Sequence, residues 1–300
     1  METRLSRRAS EVLLALVIIA RATGYLFSKI GMSGLGIFNL LSLRFLIAAA
    51  LLGAMFFSRL RRLDRRSLRA GLIMGGLYFL VMTAELSGLK RTASSTVSFL
   101  ENTAIVLVPL LGAVVSRRAP GKKAVLCALL ALAGVGFLTL GSGVRFGAGE
   151  LFSLFAATLY AGAILTTDRL THNGGIDTLT AGIVQVATIG VLSLCASLVT
   201  ETPRLPQTGM EWVSVLALAI VCSGFGFTLQ PVAQAGTTAD RAGMFCALNP
   251  LVASVLGVVF LNEHLAAKSL VGAALILAGI LLSYMQPPHK GTCKRGHKLT

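Results

Sequence analysis

Residues 240–265 read DRAGMFCALNPLVASVLGVVFLNEHL. An apolar run long enough to cross a bilayer carries Pro250 within it and ends in the polar turn Asn262-Glu263-His264. A second apolar run, Ser269–Tyr284, follows, studded with the small residues Gly272, Ala273, Ala274, Ala278 and Gly279. The same plan stands 145 positions earlier, from Ser95 to Leu140. There Leu111-Gly112 and Val114 match Leu256-Gly257 and Val259, and Ala128, Leu130, Leu132, Ala133 and Gly134 match Ala273, Leu275, Leu277, Ala278 and Gly279. Each identity is weak among so few residue types; the shared order of apolar run, polar turn and apolar run is the stronger signal. The chain reads as two copies of one membrane unit.

The composition agrees. Of 300 residues, 55% are hydrophobic and 13% charged, and the mean hydropathy is +0.80, outside the range of soluble domains. The net charge of +15 does not mark a nucleic-acid partner, because the basic residues sit between apolar runs and lack interleaved aromatics. The five cysteines, Cys127, Cys195, Cys222, Cys246 and Cys293, are scattered, and four lie in apolar runs, where a thiol behaves as a small hydrophobe. Arg4, Arg7 and Arg8 ahead of Val12–Ala20 resemble a signal peptide, with Ala20-Arg21-Ala22 as its cleavage site. Cleavage there would take the first span from the first copy, so the run is read as a retained span.

At about 20 apolar residues per span, ten candidate helices lie at about 12–31, 37–57, 70–89, 95–115, 123–141, 150–168, 177–199, 211–232, 242–261 and 267–285. The fold expected is an all-α polytopic membrane protein of ten transmembrane helices in two five-helix repeats, residues 1–141 and 142–286, with a basic tail at 287–300. Five spans per repeat make the second copy enter the membrane from the opposite side. Such inverted repeats build a site near the midplane and let the halves exchange access. The first spans of the two copies correspond loosely, Glu11 with Glu150, Arg21 with Tyr160 and Lys29 with Asp168.

Basic residues orient the chain. The N-terminus, the even-numbered connections and the tail hold 19 Lys and Arg, among them the run Arg59–Arg69; the other side holds five, Lys90, Arg91, Arg145, Arg204 and Lys268. Both termini are therefore expected in the cytoplasm, with the protein in the cell membrane.

Charged side chains inside spans cost at least about 2.5–3.5 kcal/mol each, so each needs a reason. Arg21 lies mid-span and should face the bundle interior as a ligand-facing, gating or ion-paired group. Glu101, followed by Asn102, lies about six residues inside its span and can hold or release a proton, or serve as the partner of Arg44 at similar depth. Lys29 and Glu85 lie within a turn or so of the outer ends and read as an interfacial ion pair; for Arg44, snorkelling or pairing is favoured. Pro109 and Pro250 should free the carbonyls of Ile105 and Cys246, with Asn249 a cavity donor or a group bonded to its own helix. Tyr25, Tyr78 and Tyr160 fall within spans rather than at the interfacial belt. Arg21, Tyr25, Tyr78, Glu101, Asn102, Tyr160 and Asn249 form the candidate substrate set, with Gln230 and Gln185 as weaker candidates. Gly71-x-x-x-Gly75 is a close-packing face. In the tail, His289, Cys293 and His297 have ligating side chains, but the surrounding Lys290–Lys298 charges make a solvated tail beside anionic lipid the better reading than a metal site.

The Arg-Phe-Leu of Arg44–Leu46 opening the second span, Lys29 closing the first, and the Asn249-Pro250 run ending in Asn262-Glu263 resemble the EamA-type members of the drug/metabolite transporter superfamily along nearly the whole chain. Two departures stand out. Arg117-Arg118, followed by Pro120, replaces a Gly-Glu or Lys-Glu pair at the end of the fourth span, and Arg21 replaces an early tryptophan. The resemblance implies a secondary transporter, with amino acids or related metabolites as substrates. No phosphate loop, HExxH or nucleophile–base pair occurs in the loops, so ion-motive energy is expected and neither a cofactor nor an enzymatic reaction. The partners expected are a small-molecule substrate, protons and membrane lipid, with monomer and homodimer both open. Uncoupled exchange of an organic anion at Arg21 and Arg44 is the alternative within transport; a non-transporting membrane subunit and an intramembrane enzyme are the alternatives outside it.

Overall fold

Several helices of the protein start where the sequence supplies a side-chain cap. In the computed structural model, which describes residues 6–92, 94–117, 121–139, 147–172 and 175–249 with isolated positions from 252 to 282, Ser6 caps α1 (Arg7–Ala22). Asp64 accepts from Arg66 N and Ser67 N at the start of α5 (Arg65–Leu89) at 2.9 and 3.1 Å. Asp177 does the same for α10 (Thr178–Thr200), and its carboxylate also takes the guanidinium of Arg59 at 2.6 and 3.2 Å. A short polar side chain at these positions satisfies backbone N–H groups that the first helical turn leaves open.

Between those caps the chain is helical. α2 (Gly24–Gly31) continues α1, α3 (Ile37–Met55) and the short α4 (Phe57–Leu60) precede α5, and α6 (Ser94–Asn102), α7 (Ala104–Ser116) and α8 (Lys122–Thr139) follow it. α9 (Ala148–His172) and α10 come next, then α11 (Gly209–Ala217), a π-helical stretch Leu218–Phe227, α12 (Thr228–Gln234) and α13 (Ala239–Phe245). Six helical stretches among the described residues are long and apolar enough to cross a membrane: 7–31, 37–55, 65–89, 148–172, 178–200 and 209–234. Shorter apolar helical stretches cover 100–115 and 125–134. Most of the expected spans 242–261 and 267–285 lies outside the described residues.

Side chains sort as lipid demands. Met55, Val114 and Val199 stand 75%, 74% and 85% exposed, whereas Arg44, Glu101, Asn102, Gln185 and Gln230 are buried. α10 packs most extensively against α3 and α5, and α5 against α9. The glycine face read from the sequence makes one of these contacts: a Cβ on Gly71 would meet Val184 and the Ala181 carbonyl, and one on Gly75 would meet Thr188.

Four of the expected spans lose regular α geometry among the described residues. The first breaks at Thr23, the fourth at Thr103, the eighth loosens into the π-helical stretch, and the ninth turns at Cys246-Ala247. These breaks differ from the expected proline breaks. α7 continues through Pro109, and its interruption lies upstream at Thr103, whose hydroxyl donates to the Leu100 carbonyl at 2.6 Å. The Cys246 carbonyl, expected to be freed by Pro250, accepts from Asn249 N at 3.0 Å; Pro250 itself lies outside the described residues. Arg117 ends α7 at φ 51° and ψ 38°, a left-handed conformation that glycine adopts at least cost. That is the position where the resembling family commonly ends the span in Gly-Glu or Lys-Glu.

Candidate functional site

The break in the first span is clamped from across the bundle. Thr23 donates its hydroxyl to the Ala20 carbonyl at 2.8 Å, and Cys222 Sγ, from the π-helical stretch, donates to the same carbonyl at 3.2 Å. Gly24 makes this approach possible, since a Cβ there would lie 2.9 Å from Cys222 Sγ. The chain restarts as α2 with Tyr25 and Ser28 facing a small cavity.

On one flank of that cavity sits Arg21. Its Nη1 donates to the Tyr160 hydroxyl at 2.8 Å and to Gln230 Oε1 at 2.9 Å, and Gln230 Nε2 donates in turn to the Tyr78 hydroxyl. The guanidinium carbon lies 4.4 Å from the Phe227 ring centre, 5.0 Å from that of Tyr160 and 5.8 Å from that of Tyr78. The rings supply the negative faces that a desolvated cation needs. Cys246 Sγ also donates to the Tyr160 hydroxyl, at 3.6 Å.

The other flank is acidic. The Tyr25 hydroxyl donates to Glu101 Oε2, and Glu85 lines the same cavity. Arg44, 3% exposed, donates to Ser28 Oγ at 3.4 Å and to Met82 Sδ at 3.0 Å, with its guanidinium carbon 4.7 Å from the Phe45 ring centre. Neither arginine makes an ion-pair contact with either carboxyl group among the described residues. Arg44 Nε, Glu85 Oε2 and Asn249 Oδ1 are buried and have no hydrogen-bond partner among the described residues, and all three residues line the cavity. Buried polar atoms are rarely left this way, so the arrangement is set for a polar guest. The cavity holds about 20 Å³, room for roughly one water molecule and far less than a metabolite needs.

Arg21, Tyr25, Glu101 and Asn249 from the candidate set line the cavity. Tyr78 and Tyr160 stand behind Arg21 and reach the site through hydrogen bonds. Asn102 points elsewhere, donating to the Ser98 carbonyl at 2.6 Å. Arg44 and Glu85 join the cavity, while Lys29 is exposed near the end of α2. Glu85, expected near the outer end of its span, lines the cavity: Tyr78, Met82 and Glu85 are spaced i, i+4, i+7 and share one helix face, turned to the bundle. Gln230, a weaker candidate from the sequence, links Arg21 to Tyr78. A sequence signal for it existed, because Gln230-Pro231 repeats the polar–proline pattern of Asn249-Pro250. Ser28, Met82, Cys222 and Phe227 carried no such mark. Gln185 donates to the Phe227 carbonyl at 3.3 Å.

A family profile described as the EamA-like transporter family matches the chain twice, over residues 9–140 and 147–285. An uncharacterized transporter of Archaeoglobus fulgidus is 27% identical over 285 residues, covering 91% of this chain and 96% of its own. The uncharacterized transporter YwfM of Bacillus subtilis is 27% identical over 214 residues, covering 68% of this chain and 69% of its own. A crystal structure, 21% identical, superposes with a TM-score of 0.76 over 93% of this chain and 97% of that one, a likeness of fold alone.

Proposed function

Since the chain belongs to the EamA-like transporter family of the drug/metabolite transporter superfamily, we propose that it is a secondary transporter that exports a small polar metabolite or drug by alternating access. The observation that carries this reading is the cavity where four spans lose α geometry, lined by Arg21, Arg44, Glu85 and Glu101. Interrupted helices at mid-bundle are how many transporters expose backbone and polar groups to a substrate. Arginine and carboxyl side chains together match a guest that carries charge, and the small volume fits a closed state that must open to load.

The same proposal includes ten spans in two inverted repeats, 1–141 and 142–286, a tail at 287–300, both termini in the cytoplasm and residence in the cell membrane. The basic-residue asymmetry supports the orientation. Export in exchange for protons is the working mechanism. A second reading, uncoupled exchange of an organic anion, draws on the unpartnered Arg44 Nε. Neither reading is an enzymatic one. Counterflow in proteoliposomes, run on a panel of amino acids, related metabolites and organic anions with and without a pH gradient, decides among them. Stimulated exchange of one class supports transport, and dependence on the pH gradient selects the proton-coupled form. No counterflow with any class would count against the proposal.

A further inference from the structure

The transport reading leaves open where a proton would sit, and the cavity addresses this. We infer that Glu85 and Glu101 together form one proton site, a carboxyl pair that holds a single shared proton while the cavity is closed. Two carboxylates side by side have only acceptor oxygens. Lining one cavity of about 20 Å³, they crowd acceptor oxygens and like charges into a single space unless one of them carries a proton. Glu101 already accepts from Tyr25, whereas Glu85 Oε2 is buried without a donor. The cavity they line also presents the unpartnered Nε of Arg44, a residue 3% exposed, and the unpartnered Oδ1 of Asn249, 8% exposed. The polar atoms thus converge on a shared space rather than on one another.

The surroundings hold the pair between two cations. Arg21 and Tyr25 line the same cavity from the first span, Arg44 from the second and Cys222 from the π-helical stretch, while Cys246 bonds to Tyr160 behind Arg21. Tyr78 and Tyr160 lie beyond Arg21. With the pair sharing one proton, the cluster of two arginines and two carboxyls carries one net positive charge; with the proton gone it is neutral. Opening the cavity to water ends the need to share, because water then donates to both carboxylates. The proton leaves to that water as hydronium, and no other bond changes. The inference rests on the transport reading, yet its test needs no substrate.

The purified full chain in lipid nanodiscs is titrated by infrared difference spectroscopy, reading the C=O band of a protonated carboxyl and its shift in heavy water. The wild-type protein should show such a band, removed with rising pH as one proton. Glu85→Gln and Glu101→Gln should each abolish it, because the amide supplies the missing donor and leaves the remaining carboxyl ionised. The double variant should look like either single. A band that survives Glu85→Gln, or none in the wild-type protein at any pH where it stays folded, would overturn the shared site. Should a Gln variant fail to fold, Tyr25→Phe leaves both carboxyls in place but removes the donor to Glu101. It should shift the band and its titration midpoint, and an unmoved band would overturn the inference equally. Counterflow by a wild-type protein with no band sinks only the proton site; a band without counterflow sinks the transport reading.

Discussion

Arg21 donates to the Tyr160 hydroxyl at 2.8 Å, and these are residues that correspond loosely between the two stretches matched by the family profile. The register of the later spans pairs Glu101 with Cys246, 145 positions on. Around the site, Tyr25 donates to Glu101 in the first half, and Cys246 donates to Tyr160 in the second. The first half thus supplies the charged groups, Arg21, Arg44, Glu85 and Glu101, and the second supplies neutral ones, Tyr160, Gln230, Cys246 and Asn249. A charged set in both copies would double the desolvation cost in one small space. The neutral copy instead provides rings and dipoles that hold the charges of the other.

Tyr160→Phe tests that division. It removes one of the two acceptors of Arg21 Nη1 but keeps the ring and the bond to Gln230. A hydrogen bond to a charged group contributes about 1.5–3 kcal/mol, so the purified variant should unfold a few degrees lower. Arg21→Lys should lose more, because an ammonium cannot lie flat across three rings while reaching two acceptors. A thermal melt in which Arg21→Lys matches the wild-type protein would show that the ring cage does not hold the guanidinium.

The fold was largely legible because membrane spans announce themselves through length and apolarity, and the duplicated order of runs needs no alignment. The breaks were not legible. Nothing local to Thr23 marks the end of a helix; the interruption is held by Cys222, 199 residues away. The π-helical stretch 218–227 likewise reads as an unbroken apolar run. Depth along a helix can be counted from the sequence, which found Arg21 and Glu101. Direction around the helix axis depends on which neighbour is packed there, and that is why Glu85 was placed at the interface and Asn102 in the site.

Glu201 should matter more than its surface position implies. α3 begins at Gly36, which has no side chain to cap it, and the Glu201 carboxylate takes over, accepting from Phe38 N at 3.2 Å and Asn39 N at 2.8 Å. Arg204 fastens the same loop, bonding the Gly34 carbonyl and pairing with Glu211 at 2.9 Å. Glu201→Ala should cost about 1–2 kcal/mol, the range for a lost cap. Glu201→Gln should fall between, since it keeps an acceptor but loses the charge that favours a helix N-terminus. Melting temperatures of the purified variants check this order, and equal values for Ala and wild type would refute it.

Orientation is checked by reporters active only in the cytoplasm. Fusions after Gln286 and within 61–69 should be active, and fusions within 143–148 inactive. The reverse pattern would place the basic connections on the outer face, against the charge rule.

The last expectation concerns closure of the end of the bundle where α1 begins. Glu11, 3% exposed in α1, accepts from Arg241 of α13 at 2.6 Å and from Arg7 at 3.2 Å, so a buried carboxylate ties the first span to the ninth. Removing one partner of a buried pair costs about 3–5 kcal/mol. Arg241 is 11% and Arg7 41% exposed, so water can take over part of the loss, and the lower end of that range is expected. A loss of that size shifts a closed-to-open balance toward open by tenfold or more, provided the tie is absent from the open form. In a variant whose sole cysteine is Cys222, which lines the cavity, Glu11→Gln should therefore raise the labelling rate by a water-soluble thiol reagent about tenfold. Arg241→Gln should act in the same direction, and the double variant should fall well short of the product of the two, since both remove one interaction. If Glu11→Gln lowers thermal stability while Cys222 labels at the wild-type rate, the pair holds the fold together without gating it.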